Sequence, residues 1–344
     1  MGIIEEARHF LDNSLPEEAL ELLTSKLVEN QADIEYLQLY GEVLLENNQV
    51  EDAYNLFIKT CEMDPIADKG VEKFLYLGQI IGGEDGIAYL DVGLNKLNEQ
   101  FENGNKDIKT IKKLNEGIFA KIEIWMTDLC MEPEAESKCD ELIDYALKVD
   151  DSYPETYSLL ASIRISQQRN EDAEEALARS WELFQQRKQK IQLESINDEM
   201  NFEVIELIQP FITIIKFAIE LELYDLAIEV CQATQDINDQ ILDIYYYEVL
   251  ANLFKSKQQY PQRDKQTDYR DLPNSVVDED TKSDVKLILT SAFKILQTSD
   301  DLDPELTESI NSLLAEFGGP IMSELMPQRG DDNDDGWEDE IDDN

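Results

Sequence analysis

Ala7, Ala19 and Leu23 recur 34 positions later as Gly41, Ala53 and Phe57, and the block closes with Asp64-Pro65. A small residue, a second small residue twelve positions on and a bulky apolar residue four beyond it describe two helices packed against each other. The interval of twelve returns at Ala161–Ala173. Gly41 and Ala53 let two backbones approach, and Phe57 plugs the gap towards the next unit. Apolar residues along nearly the whole chain follow the helical period of 3.6, and hardly any follow the strand period of 2. A single helix pair cannot bury its apolar face alone, so such a chain must stack one pair on the next.

The period of 34 with this small–small–aromatic spacing looks like the tetratricopeptide repeat. The pattern predicts helix pairs at about 2–13 with 16–28 and 34–47 with 50–63. A third pair is degenerate and breaks at Gly82-Gly83-Glu84-Asp85-Gly86, read as a turn. Residues 101–107 read as a loop, 108–131 as a long helix and 134–149 as its partner. A well-registered unit follows at 154–187 and extends through a polar stretch at 185–200. Then 205–221 pairs with 224–234, and 241–256 begins a further pair. Residues 258–280, with Pro261 and Pro273, read as a surface insertion. The segments 285–296 and 304–317 read as closing helices. The expected architecture is all-α: a tetratricopeptide-like superhelical solenoid over 1–325, irregular near 78–117 and 258–280, followed by a disordered acidic tail at 326–344.

Charge narrows the function. The 344 residues hold 29 Lys plus Arg against 76 Asp plus Glu, a net charge of −47. The stretch 330–344 has nine acids and no base, which leaves −38 on the rest. Such a field repels nucleic acid and anionic membranes and attracts basic ligands. Solubility alone does not call for so much self-repulsion. No run approaches 18 apolar residues, so no membrane span is expected. The first residues lack the basic flank and apolar core of a secretion signal. Cys61, Cys130, Cys139 and Cys231 form no CxxC pair and suit a reducing compartment, cytoplasm or nucleus.

Few groups could support catalysis. His9 is the only histidine, and it is expected at the surface. The cysteines read as structural, Cys130 and Cys231 at small or interior helix positions, and zinc would need close pairs of Cys or His. In the tail, Asp331, Asn333, Asp335, Gly336, Asp339 and Asp342 fall on calcium-loop positions. The twelfth is Asp instead of Glu, and no second helix follows. No enzyme, metal or cofactor is expected.

The remaining candidate is the inner face of the repeats, lined by the first helix of each pair. There the register places Glu35, Gln38, Glu42 and Glu46, then Glu155 with Ser158 and Ser162. Later come Gln209, Ile212, Lys216 and Glu220, then Asp239, Asp243, Tyr246 and Leu250. Acids beside tyrosine and aliphatic side chains suit an extended peptide rich in Lys and Arg.

The segment Glu123-Ile-Trp-Met-Thr-Asp-Leu-Cys-Met-Glu-Pro-Glu-Ala-Glu-Ser-Lys-Cys139 resembles a stretch typical of fungal dedicated assembly chaperones for large-subunit ribosomal protein number four. Asp151-Ser152-Tyr153-Pro154-Glu155-Thr156 and Trp337-Glu-Asp-Glu are similar to that family too. High like charge disfavours self-association, so a monomer bound 1:1 to its client is expected, and the resemblance implies a non-enzymatic repeat solenoid. It implies capture of the newly made ribosomal protein in the cytoplasm by its basic internal loop, then passage into the nucleus. Two other readings compete. A histone or other basic-protein chaperone would fit the charge. A heat-shock-protein adaptor would need inward Lys and Arg to clamp an acidic terminus, where the register offers Glu35, Glu42 and Glu46.

Overall fold

The computed structural model describes residues 2–194, 202–261, 267–299 and 302–325. Among them the secondary structure is helical throughout. The chain divides into two units, Met1–Leu183 and Phe184–Asn344. The first holds α1 (Ile3–Asp12), α2 (Pro16–Lys26), α3 (Ile34–Glu46), α4 (Val50–Met63), α5 (Glu72–Ile81), α6 (Gly83–Glu102), α7 (Ile108–Met126), α8 (Ala135–Val149), α9 (Pro154–Ser166) and most of α10 (Asn170–Glu194). The second holds α11 (Phe202–Ile205), α12 (Ile208–Glu220), α13 (Tyr224–Gln235), α14 (Leu242–Gln258), α15 (Glu279–Thr298), α16 (Pro304–Glu316) and α17 (Met322–Leu325). No described helix is long and apolar enough to cross a membrane.

One backbone device makes the helix pairs. Three residues join α1 to α2, α3 to α4, α9 to α10 and α12 to α13, and the middle one is left-handed each time: Ser14, Asn48, Gln168 and Glu222. The amide that follows reaches back five residues, as in Leu15 N–H to Phe10 O (2.9 Å) and Gln49 N–H to Leu44 O (2.8 Å). Such turns satisfy carbonyls that the helix end would leave bare. Ser14, Asn48 and Gly82 lie 34 residues apart, so the sequence period is also a backbone period. At the third step Gly82 alone joins α5 to α6. That shortened turn throws the later residues out of register and hides the third pair in the sequence.

The expected turn at 82–86 is therefore only Gly82; Gly83–Gly86 already form the first turn of α6. The expected helix over 108–131 stops at Met126. Beyond it, Asp128 turns back and accepts a hydrogen bond from Gly83 N–H (2.8 Å). It thereby caps α6, whose N-cap glycine has no side chain to do so.

Packing follows the register. Ala7, Ala19, Leu23, Ala53 and Phe57 have no exposed surface. A Cβ on Gly41 would lie 2.4 Å from the Phe57 ring, so only glycine admits that ring. Between α4 and α5, Asp64 holds the chain by accepting from the amides of Asp68 (3.0 Å) and Lys69 (2.8 Å) and from the fully buried Lys73 ammonium (2.8 Å). Burial pushes the Asp64 carboxyl up, but these donors hold it below the usual carboxylate range.

Within the first unit α1 touches α3, α3 touches α5, α5 touches α7 and α7 touches α9. The second helices α2, α4, α6 and α8 form no such series. The first helices thus make one inner layer. In the second unit α12, α14 and α16 touch in the same way.

Residues 267–278 are more than the expected surface insertion. They form two 3-10 turns, Tyr269–Asp271 and Asn274–Val276. Tyr269 is buried with its hydroxyl bonded to that of Tyr224, and Val277 sits in the core formed with α14, α15 and α16. The expected disordered tail at 326–344 and the calcium-like spacing within it lie outside the described residues.

Two substitutions test this account by urea unfolding. Gln168→Gly relieves a left-handed residue on the surface and is expected to stabilise by about 0.5–1 kcal/mol, while Gln168→Val destabilises. Gly41→Ala forces the Phe57 ring aside and is expected to cost about 1–3 kcal/mol. Adding Phe57→Leu should recover part of that loss.

Candidate functional site

The inner layer of the first unit encloses a cavity of about 680 Å³. Four first helices line it: α1 with Arg8 and Asp12, α3 with Glu42, α5 with Glu72, Leu75, Tyr76 and Gln79, and α7 with Lys109, Lys112, Lys113 and Glu116. Tyr76 is the one aromatic residue in its lining. Its ring stacks on Phe57 with centroids 5.6 Å apart. Burial, then the charges of Glu42, Glu116, Glu72 and Glu46, push its hydroxyl well above the usual tyrosine range.

The carboxylates around Tyr76 are not equivalent. Glu72 is fully engaged: Gln38 donates to it (2.7 Å), the Val71 amide donates to it (3.0 Å), and Lys113 makes a close ion pair. Burial works against its charge, but these donors hold the Glu72 carboxyl below its ordinary value. Glu42 and Glu116 have only loose partners, Arg8 and Lys112, each at 3.9 Å. Burial raises both carboxyls. Arg8 and Lys112 offset this in part, and neighbouring acids add to it: Glu72 and Glu46 for Glu42, Glu155 and Glu72 for Glu116. A desolvated carboxylate with a loose partner gains most from an incoming guanidinium that can make close, charge-assisted hydrogen bonds.

The candidates read from the sequence fare differently. Glu42 lines the cavity. Glu46 is exposed and adds to its field. Glu155, half-buried at the start of α9, acts on Glu116. Glu35 is exposed in the first turn of α3. Gln38 is a correction: it is 4% exposed and spent on Glu72 and on the Lys73 amide, so it faces no partner. Ser158 is likewise taken up by Ser180 (2.7 Å). In the second unit Glu220, Asp239 and Asp243 are exposed. Tyr246 is half-buried against the α14–α16 core, and it is Tyr247 that meets a cation, Lys216 at 5.9 Å.

The inner face is also less uniformly acidic than expected. Arg8, Lys109, Lys112 and Lys113 all line it. Reading the sequence by repeats missed Glu72, Tyr76, Lys113 and Glu116. A signal for two of them was present, because Gln38 and Glu42 advanced by 34 give Glu72 and Tyr76. The cysteines need one correction: Cys61, Cys139 and Cys231 are buried, but Cys130 is exposed. His9 is exposed. Among the described residues no group of three or more His, Cys, Asp or Glu could hold a metal ion.

The raised carboxyls give a pH signature. A native value above the unfolded one means that the folded chain keeps a proton the unfolded chain has lost. That contribution to stability is complete below the ordinary glutamate value and is lost as pH rises through the native value. Glu42→Gln with Glu116→Gln is therefore expected to resist urea better than the wild type at pH 7. The gap should close near pH 4 (about where an ordinary glutamate is protonated). A gap of equal size at both pH values would show that charge is not its cause.

Residues 240–341 match the ACL4 C-terminal domain. The "Probable assembly chaperone of rpl4" of Schizosaccharomyces pombe is 31% identical over 214 residues, 61% of this chain. The protein of the same description from Emericella nidulans is 35% identical over 179 residues, 50% of this chain. The matches span 60% and 44% of those relatives' own lengths. A solved structure of the assembly chaperone of RpL4 (Acl4), residues 1–338, superposes with a TM-score of 0.61 at 23% identity, covering 75% of this chain and 96% of that one. It shows the same helical-repeat fold. The resemblance is thereby borne out: residues 240–341 match the model of the ACL4 C-terminal domain, and the chain is similar in sequence to two fungal proteins described as probable assembly chaperones of rpl4 and in fold to Acl4.

Proposed function

We propose that this protein is a dedicated, non-catalytic assembly chaperone of ribosomal protein L4 in large-subunit biogenesis. It holds the basic internal loop of the newly made client, keeps it soluble in the cytoplasm and accompanies it into the nucleus as a 1:1 complex. The likeness to the two fungal proteins named for rpl4 supports the client. The observation that carries the mechanism is the pair Glu42 and Glu116, which line the cavity with Tyr76, have their carboxyls raised, and meet their nearest cations only at 3.9 Å; Glu42 is largely covered and Glu116 about half.

The physical logic is exchange. A loop built to lie on RNA phosphates carries many cations and aggregates or binds wrong polyanions when free. An arginine entering between Glu42 and Glu116 offers the short bonds that Arg8 and Lys112 do not. Its flat guanidinium stacks on Tyr76. Each such bond contributes about 1.5–3 kcal/mol. RNA, with a denser line of charge, takes the loop over at assembly. Glu46, Glu155 and Glu35, and in the second unit Glu220, Asp239 and Asp243, supply long-range attraction.

The adaptor reading gains one observation, the four cations along the cavity. Three of them already face a carboxylate of this chain: Arg8 faces Glu42, Lys112 faces Glu116 and Lys113 faces Glu72. An acidic terminus would have to break those pairs inside a strongly negative protein, so a basic ligand is favoured.

Titration of the full chain with the isolated internal loop of L4 decides between these readings. A histone-tail peptide of matched charge and an acidic heat-shock terminus serve as comparisons, at low and moderate salt. The loop is expected to bind at least about tenfold tighter than the histone peptide at moderate salt, because the site adds shape and stacking to charge. Glu42→Lys with Glu116→Lys should weaken it by about 10–100-fold while the helical signal is kept. Equal binding of loop and histone peptide, lost together as salt rises, would reduce the protein to a polyanion. Binding of the acidic peptide alone would establish the adaptor.

A further inference from the structure

The second unit contains a cavity of about 660 Å³ that belongs to none of the surfaces above. One wall is the start of α15, with Lys282, Ser283 and Lys286. The others are Asn274 and Ser275 of the second 3-10 turn and the end of α16 at Glu316, Phe317 and Gly318. Two carboxylates line it, and both are engaged: Glu279 pairs with Lys282 (2.8 Å), and Glu316 accepts from Asn274 (2.9 Å). Lys286 makes no ion pair among the described residues and is half-buried. A side chain at Gly318 would begin 3.9 Å from its ammonium; glycine leaves that approach open. An unmatched lysine, two serine hydroxyls and a glycine at a cavity mouth suit a carboxylate-bearing peptide.

The chain itself brings one to the mouth. Lys282, Lys286 and Thr290 share one face of α15, at intervals of four. Thr290 accepts a hydrogen bond from the Ile321 amide (3.0 Å), so the polypeptide leaves α16 and settles on that face one turn beyond Lys286. After α17 the sequence runs on to Asp331-Asp332-Asn333-Asp334-Asp335 and Trp337-Glu338-Asp339-Glu340. From Leu325 to Asp331 the chain can reach about 20 Å. Thr290 to Lys282 spans only about 12 Å of helix. The reach is sufficient, and the lining offers one cation, Lys286, that no lining carboxylate pairs, beside Lys282, which Glu279 holds.

We propose that the acidic segment 331–340 docks intramolecularly in this cavity, one carboxylate on the unmatched Lys286 and a second sharing the Lys282 ammonium with Glu279, so that no existing pair has to break. Docking holds a strongly negative stretch against its own unit instead of leaving it to sweep the surroundings. A polycation is a stronger partner for seven carboxylates than two lysines are, so a basic client strips the tail away. This release step rests on the proposed function; the docking does not.

The full chain labelled with 5-fluorotryptophan provides the test, because its three tryptophans report separately. Trp337 reads the tail, while Trp125 and Trp181 read the fold. In the wild type the Trp337 fluorine signal should be broadened and displaced from that of a free peptide of residues 326–344. It should move onto the free position in Lys282→Glu/Lys286→Glu, and at about 0.5 M salt, where charges screen each other within a few ångströms. Lys282→Arg/Lys286→Arg and a Lys294→Glu control should keep it displaced, with Trp125 and Trp181 unmoved throughout. A wild-type Trp337 signal at the free position would overturn the docking. So would a displacement that survives charge reversal, or one that grows with protein concentration and so comes from a second copy. Addition of the L4 loop should also free Trp337; a tail that stays docked while the loop binds elsewhere would remove the release step alone.

Discussion

Everything in the first unit hangs on how each helix pair turns. In three of its five pairs, three residues and one left-handed conformation reverse the chain so tightly that the second helix packs on the first through small residues, as Gly41 does against Phe57. The pair is then wedge-shaped, narrow where the first helices meet and wide where the second helices splay. Stacking such wedges brings α1, α3, α5, α7 and α9 into one continuous layer. Only that layer can enclose a cavity lined by residues far apart in sequence. A glycine at Gln168, or an alanine at Gly41, reads this turn and this contact directly.

The cavity shows how an acidic protein can hold acids together at tolerable cost. Glu72 is neutralised by a lysine and anchored by Gln38, which stiffens the centre. Glu42 and Glu116 are left with distant partners and pay for it in raised carboxyl values. The folded chain holds there an electrostatic deficit that a cationic group placed between them would relieve. Under the proposed function, stability and binding would pull on the same two residues in opposite directions. A site of this kind is legible as a pH effect even before a ligand is known.

Parts of the site could be read from the chain. Glu42, Glu46 and Glu155 follow from the register of the well-formed repeats. Tyr76 and Glu72 could have been reached by one further step of 34, but the missing turn residues around Gly82 shift the small-residue pattern and end the period too early. Lys113 and Glu116 carried no such mark, since α7 does not match the repeat. Gln38 shows the opposite failure. It occupies a proper inward position, and only the neighbouring α5, with Glu72 and Lys73, buries it.

The sequence by itself determined the helices, the period that pairs them, the small residues where they touch and the sign of the surface. These are local or additive properties: hydrophobic periodicity, side-chain volume and summed charge do not depend on distant neighbours. Only the tertiary structure decided which acids are desolvated, which lysine neutralises which carboxylate, and that residues 267–278 pack through Tyr269 and Val277 instead of lying free. Those outcomes depend on distances between residues some 30 to 40 positions apart in the chain, such as Glu42 to Arg8 and Glu72 to Lys113. Electrostatic energy varies with such distances and with the water excluded between the charges. No pattern along the chain encodes either one until the helices have packed.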